Sequence, residues 1–311
     1  MKIVGKKILI SGGAGWLGSR IVKKLCGNNE LVIYSRDEAK HYLLKKQYPQ
    51  IKCVIGDVSN LERLNDAAKG CNIGIFLAAL KQIEAVEENI EEGVNTIVYG
   101  ALNSKRVSLS NGFESSCIIS SDKASSPVLS YGAAKLLSEN IFINNNEGNK
   151  TKFSACRYGN VANSKGSILE VIFHSIKNNY IISLYSEDMT RFNIMPDDAI
   201  DLIFTSLDYD SNVVIPKLKS FRILDLFEVY REKFGLTYKS GKPRPNEKIH
   251  EILFSEEESR RIQYDRDKNI FLLGQENSLD LRRKYSSEEV CMDREELEEF
   301  LKENNYFNNN E

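Results

Sequence analysis

Lys7-Ile8-Leu9-Ile10-Ser11-Gly12-Gly13-Ala14-Gly15-Trp16-Leu17-Gly18 is the stretch that decides the fold. Lys7–Ser11 is a short apolar run and reads as a buried strand. Gly12, Gly15 and Gly18 then recur every third residue. Trp16–Cys26 follows as a helix with Leu17, Ile21, Val22 and Leu25 on one face. Glycine at a strand-to-helix turn permits a tight bend and lets the backbone approach a pyrophosphate, which then sits on the helix N-terminus. The spacing predicts a dinucleotide-binding turn, with Gly12, Gly15, Trp16, Leu17 and Gly18 against the cofactor. A glycine-rich connection without a ligand is the plainer alternative, and the strand–turn–helix context argues against it.

Working outward, short β-rich runs alternate with longer helical patterns. Strands are expected at Leu31–Tyr34, Ile51–Ile55, Ile73–Ala78, Ser116–Ser120 and Phe153–Tyr158. Helices are expected at Glu38–Gln47, Leu61–Lys69, Ile83–Leu109 and Leu129–Asn144. Such alternation means βαβ units, hence an α/β fold with a doubly wound parallel Rossmann sheet. After Gly159 the rhythm breaks. Helices are expected at Ile168–Lys177, Asp197–Leu207, Phe221–Phe234 and Arg294–Lys302, a strand at Val213–Ile215 and a loop over Tyr238–Asn246. The expected division is a cofactor-binding domain over 1–162, to which 197–216 returns, and a smaller C-terminal substrate-binding cap over 163–196 and 217–311. The cap reads as too irregular for a core of its own, and the crevice between the two parts is the expected ligand site.

Composition narrows the function. The 42 Lys and Arg nearly balance the 44 Asp and Glu, for a net charge of −2 among 311 residues, which argues against a nucleic-acid binder. The longest apolar run, Ile73–Leu80, falls far short of the roughly 20 residues of a membrane span. The chain enters its first strand without a signal-peptide pattern, so a cytoplasmic protein is expected. The six cysteines are scattered singly, with no CxxC pair or Cys/His cluster, so no metal site is expected.

Three further motifs carry chemistry. The second strand ends in Ser35-Arg36, where an acidic residue would bind the ribose hydroxyl of NAD. An arginine there suits a 2′-phosphate and favours NADP over NAD. Asp57-Val58, after the third strand, is placed to meet the adenine, with a helix cap as the alternative. Tyr131 and Lys135 lie four residues apart on a helix and so share a face. A neighbouring ammonium favours phenolate, which would make Tyr131 a base for a hydroxyl proton. Ser121-Asp122-Lys123 closes the fifth strand, at the sheet edge where ligands bind. Ser121 suits a hydrogen bond to a substrate hydroxyl. Asp122 and Lys123 add an acid/base pair that simple alcohol oxidation does not need.

These residues resemble the UDP-N-acetylglucosamine 4,6-dehydratase family, extended short-chain dehydrogenases that include C5-inverting enzymes of pseudaminic acid and capsule synthesis. The resemblance is carried by Tyr34-Ser35-Arg36-Asp37-Glu38, Ala78-Ala79-Leu80-Lys81, Ser121-Asp122-Lys123-Ala124 and Tyr131-Gly132-Ala133-Ala134-Lys135. It continues through Arg157-Tyr158-Gly159-Asn160-Val161, Met189-Thr190-Arg191-Phe192 and Arg244-Pro245-Asn246-Glu247-Lys248-Ile249-His250-Glu251. It implies Ser121, Tyr131 and Lys135 as an oxidation triad, Asp122 and Lys123 as a dehydration pair, and Ala78 and Ala79 beside the cofactor. It implies Lys81, Asn160, Lys165, Arg191, Arg244 and Glu247 as contacts to the nucleotide sugar.

The implied reaction takes UDP-GlcNAc to its 4-keto-6-deoxy sugar by C4 oxidation, water loss across C5 and C6, and hydride return to C6, with inversion at C5 left open. Lys123 is the expected C5 base and Asp122 the expected acid for the C6 hydroxyl. A homo-oligomer is also implied. The alternatives are a C4 epimerase, a 4-keto reductase, or a weakly catalytic nucleotide-sugar-binding protein. The last is motivated by departures from the family pattern: Phe76 for a usual His and Ile97 for a usual Asn that supports proton relay. Asn95 and Asn103 are the nearest substitutes for that Asn. Lys165 stands for an Arg, and Asn246 for a Gly.

Overall fold

Ile, Val and Leu cluster in runs of four to six residues, and those runs form the central sheet. The structure is a computed structural model that describes residues 3–144, 148–243, 245–276 and 283–307. In the first half, β1 (Lys7–Ser11), α1 (Trp16–Leu25), β2 (Glu30–Ser35), α2 (Glu38–Gln47), β3 (Lys52–Ile55), α3 (Leu61–Ala68) and β4 (Ile73–Phe76) alternate as expected. The next helical pattern is broken into α4 (Ile83–Glu88), α5 (Ile90–Gly93), a π-helical turn over Val94–Tyr99 and α6 (Gly100–Ser110). There follow β5 (Ser115–Ile119), α7 (Ser130–Ile143) and β6 (Lys152–Cys156).

The second half holds β7 (Asn160–Val161), α8 (Ile168–Asn178), β8 (Ile182–Leu184), β9 (Thr190–Ile194), α9 (Pro196–Ser206) and β10 (Asn212–Pro216). It ends with β11 (Ser220–Arg222), α10 (Ile223–Phe234), β12 (Tyr238–Ser240), β13 (Ile252–Phe254), α11 (Glu256–Ser259), β14 (Ile262–Asp265), β15 (Ile270–Leu273), β16 (Tyr285–Ser286) and α12 (Arg294–Glu303).

The main sheet runs β14-β15-β10-β6-β5-β4-β1-β2-β3. From β3 to β10 every pairing is parallel, while β15 and β14 add antiparallel strands. Side chains alternate across the pleat: Leu9 joins the apolar layer on one face, Ile8 and Ile10 the layer on the other.

Two expectations are corrected. Residues 217–311 do not lie wholly outside the main sheet, because β14 and β15 extend its edge beyond β10. β14 shows little apolar alternation, and β15 is a run of only four apolar residues set among charged ones. The cap also has an apolar cluster of its own, in which α8, α10 and α12 bury Leu169, Ile172, Leu226, Phe227, Leu297 and Leu301.

A buried ion cluster ties the two halves together. Arg157, fully buried just after β6, donates to both Glu139 oxygens of α7 at 2.9 and 2.6 Å. It also donates to both Glu258 oxygens of α11 at 2.9 and 2.8 Å, and to the Leu253 carbonyl at 2.9 Å. Burial opposes its charge, but the two carboxylates outweigh that and hold the guanidinium protonated. Glu258 in turn accepts from Ser125 Oγ at 2.8 Å. Arg157→Met would strand two carboxylates and is expected to cost about 3–5 kcal/mol of stability. Urea melts should show that loss, and replacing Glu139 and Glu258 by Leu as well should recover most of it.

Candidate active site

Strand order reverses between β1 and β4, and a cleft of about 710 Å³ opens beyond the C-terminal ends of these strands. Its first wall is the glycine turn. Gly12 has φ +69°, and a Cβ there would lie 2.9 Å from the Ala78 nitrogen. A Cβ on Gly18 would meet the backbone of Gly12 and Gly13 at 2.6 Å, so α1 sits directly on the turn. Gly15, Trp16 and Leu17 also line the cleft, and the first turn of α1 carries no acidic side chain. The result is a bare backbone cradle that any side chain would fill, which fits a dinucleotide pyrophosphate.

The second wall carries Ser121, Lys123, Tyr131 and Lys135, with Asp122 fully buried behind them. Ser121 lies just before a single 3₁₀ turn, Asp122–Ala124, that follows β5, while Tyr131 and Lys135 lie on α7. The two segments touch at Gly132, where a Cβ would be 2.3 Å from the Lys123 carbonyl oxygen. Ser121 Oγ donates to Asp122 Oδ1 at 2.9 Å and hydrogen-bonds the Tyr131 hydroxyl. Lys123 Nζ donates to Asp122 Oδ1 at 2.9 Å, lies 3.1 Å from Glu251 Oε1, and reaches Asn160 Oδ1 at 3.5 Å. Lys135 Nζ donates to the Ile119 carbonyl at 2.8 Å.

Burial sets the protonation of these groups. It pushes the fully buried Asp122 carboxyl above the usual carboxylate range, and the Lys123 ammonium only partly offsets this. Burial also opposes the Lys123 charge, but Asp122 and Glu251 outweigh it, so the ammonium is held protonated. Burial lowers Lys135 to about 8, with Glu139 pulling the other way. Tyr131 is raised by burial, and the Lys123 ammonium works against that rise. Two expectations change here. Lys135, the cation expected to activate Tyr131, is held by the Ile119 carbonyl, and the charge that works against the phenol's burial is that of Lys123. Lys123 is also an acid as it stands, not a free base.

Among the substrate-facing candidates, Lys81, Asn160, Arg191 and Glu247 line the cleft, as does Ala79. Arg191 Nη2 donates to Glu247 Oε1 at 3.1 Å. Lys165 is exposed, and its carbonyl oxygen accepts from Lys81 Nζ at 2.5 Å. Arg244 lies outside the described residues. Val58 and Ala78 line a second cavity of about 20 Å³ behind the cleft, together with Ile97 and Lys135. Ser35, Arg36 and Asp57 lie at the ends of β2 and β3. Ser35 Oγ hydrogen-bonds His41 Nε2 at 2.6 Å. Arg36 Nη1 pairs with Asp57 at 3.3 Å and Glu92 at 3.0 Å. Asp57 Oδ1 accepts from the Ser59 nitrogen at 2.9 Å and its hydroxyl at 2.7 Å, so it stabilises a turn. Among the described residues no group of three or more His, Cys, Asp or Glu side chains is placed to hold a metal ion, and no helix is long and apolar enough to cross a membrane.

A protein-family model described as "polysaccharide biosynthesis protein" matches residues 8–272. The chain belongs to that family. A UDP-N-acetylglucosamine 4,6-dehydratase (inverting) of Campylobacter jejuni is 35% identical over 266 residues, covering 82% of this chain and 79% of the relative. A UDP-glucose 4-epimerase of Rickettsia bellii is 32% identical over 275 residues, covering 84% of this chain and 81% of that protein. Among solved structures, Pen from Bacillus thuringiensis superposes with a TM-score of 0.89 at 25% identity, covering 98% of this chain and all of the other.

Two of the departures from the family pattern, Ile97 and Phe76, are filled by packing. Ile97 sits in the π-helical turn, 4% exposed, and packs with Tyr131, Ala134 and Val86. Phe76 stacks edge-on against Phe142 at 6.0 Å. Neither expected substitute takes over the relay: Asn103 Nδ2 donates to the Val58 and Ser59 carbonyls at 3.0 and 2.9 Å, and Asn95 is exposed. Sequence reasoning missed Glu251, which lines the cleft against Lys123. Its only signal was its place at the end of the Arg244–Glu251 motif.

Proposed function

We propose that this protein is a nucleotide-sugar 4,6-dehydratase acting on a UDP-N-acetylhexosamine, with UDP-GlcNAc as substrate and the 4-keto-6-deoxy sugar as product. The observation that carries the reading is the Asp122–Lys123 pair at 2.9 Å, joined through Ser121 to Tyr131. Epimerisation or ketone reduction needs only Ser121, Tyr131 and Lys135, whereas elimination needs an acid and a base at C5 and C6. The Campylobacter relative supports the same reaction and substrate.

A bound nicotinamide cofactor supplies reversible hydride exchange, and Gly12–Gly18 would hold its pyrophosphate. The residues do the rest. Tyr131 takes the C4 hydroxyl proton, Ser121 orients that hydroxyl, and Asp122, whose burial favours the protonated form, gives its proton to the C6 oxygen. Asn160, Arg191, Glu247 and Lys81 hold the sugar and diphosphate, with Lys165 and Arg244 completing the phosphate contacts. We assign the cofactor-binding part to 1–162 with 197–216 and the sugar-binding cap to 163–196 and 217–311, apart from β14 and β15. We place the enzyme in the cytoplasm as a homo-oligomer. Exposed Tyr99 and Leu137 support self-association.

NADP is the proposed cofactor, through Ser35 and Arg36. Arg36→Ala is expected to weaken NADP binding by about 1–3 kcal/mol, the scale of a lost charge-assisted bond, and to leave NAD binding unchanged. Equal losses for both in calorimetry would remove Arg36 from cofactor choice. The Rickettsia relative favours a second reading, a C4 epimerase. Proton NMR with UDP-GlcNAc in heavy water separates the two. Dehydration loses the C6 oxygen and brings deuterium to C5, and epimerisation does neither.

A further inference from the structure

Asp122 and Lys123 alone leave the proposed elimination without a base. Lys123 is the group nearest the role, yet its ammonium lies between two carboxylates, Asp122 at 2.9 Å and Glu251 at 3.1 Å. A protonated amine cannot take a carbon-bound proton. It must first give its own proton to a neighbour that keeps it during the reaction. Asp122 is unsuited, because burial favours its neutral form and its proton is needed at the C6 oxygen.

Glu251 is suited. It is 4% exposed, lines the cleft, and its Oε2 is buried with no hydrogen-bond partner among the described residues, which leaves a site for a proton. Its backbone is clamped to Ser287, with the Glu251 nitrogen donating to Ser287 Oγ at 2.9 Å and the Ser287 nitrogen donating to the Glu251 carbonyl at 2.8 Å. The charged and titratable groups facing it are Lys123 and Asp122 from the turn after β5, Arg191 Nε from β9 at 3.8 Å, and Lys248 from its own loop. Burial disfavours its charge, but these cations outweigh that and keep it ionised at rest.

We propose that Glu251 is the proton-accepting partner that converts Lys123 from an ammonium into the C5 base. The inference rests on the dehydratase reading. A Lys123 N–H bond breaks and a Glu251 O–H bond forms, with the electron pair left on nitrogen. That pair takes the C5 proton, and the C5–H electrons form the C5–C6 double bond. The C6–O bond breaks, and its oxygen leaves as water with the Asp122 proton. Asp122 is recharged by the C4 hydroxyl proton, which passes from Tyr131 through Ser121. When a proton re-enters at C5, Lys123 loses one and Glu251 hands its own back, so the cluster ends as it began. Glu251 is therefore a positioning residue for a proton and needs no contact with the sugar.

The test compares wild type, Glu251→Gln and Glu251→Asp with UDP-GlcNAc in heavy water, following C5 deuterium, C6 oxygen loss and the pH dependence of both. UDP binding is measured alongside by calorimetry. In Glu251→Gln, C5 exchange should fall by a factor on the order of 10², with UDP affinity kept. Its residual rate should rise about tenfold per pH unit above neutrality, because Lys123 must now lose its proton to solvent, while the wild-type rate levels off. Glu251→Asp retains a carboxylate and should keep the wild-type profile at a lower rate. If Glu251→Gln fails to fold, the Glu251→Asp profile decides: a wild-type shape supports the inference and a Gln-like rise overturns it. A Glu251→Gln rate equal to wild type, or a uniform loss with an unchanged profile, also overturns it while leaving the dehydratase reading intact. Wild type that binds UDP-GlcNAc without losing the C6 oxygen defeats that reading instead.

Discussion

Asp122→Asn and Lys123→Ala are each expected to let the C4 hydroxyl be oxidised and then stop the reaction. Both groups serve the elimination, so a single turnover should show reduced-nicotinamide absorbance that builds and persists. Release of the 4-keto-6-deoxy product should fall by a factor on the order of 10² or more, the usual contribution of one positioned acid or base. The double variant should be little worse than either single one, since both side chains act in one step. Asp122 is fully buried and its Oδ2 has no partner among the described residues, so the Asn change preserves shape while removing the acid. If both variants release product at the wild-type rate, the pair takes no part in the chemistry and the reaction is not a dehydration.

Tyr131→Phe should act earlier and more severely. The ring packs against Ile97 and Ala134, so Phe keeps that apolar contact and deletes only the hydroxyl. Loss of the group that takes the C4 proton should lower turnover by a factor on the order of 10²–10⁴, with UDP-GlcNAc affinity retained. No reduced nicotinamide should accumulate, which distinguishes this block from the one at Asp122 and Lys123. Near-normal turnover would exclude Tyr131 as the proton acceptor.

Much of the fold was legible because β1 to β6 are short apolar runs separated by amphipathic helices, and burial on both sheet faces demands that pattern. The glycine turn was legible for a steric reason: Gly12 and Gly18 have no room for a Cβ, so only one residue type fits. The additions at β14 and β15 were not, because Gln263, Tyr264 and Asp265 sit in a strand with little apolar alternation, in an edge position that tolerates polar side chains. Within the site, Ser121, Tyr131 and Lys135 could be placed by helical spacing and strand ends, which are local rules. Glu251 could not. Its partner Lys123 is far away in sequence, and only the path of the chain through the cap brings the two to 3.1 Å. The protonation of Lys123 was hidden for the same reason, because one of the carboxylates that set it comes from that distant loop.

Arg157 has a consequence for how the protein is made. During synthesis the strands β1 to β6 emerge first, and with them Arg157 and Glu139, but Glu258 follows 101 residues behind Arg157. Until it arrives, the guanidinium has one carboxylate instead of two, and the edge of β10 has no β15 to pair with. A nascent chain paused near Pro216 would therefore display an open strand edge and a half-neutralised interior charge. Such an intermediate should need chaperone protection, and a gene truncated at that point should yield aggregate rather than a working cofactor-binding module.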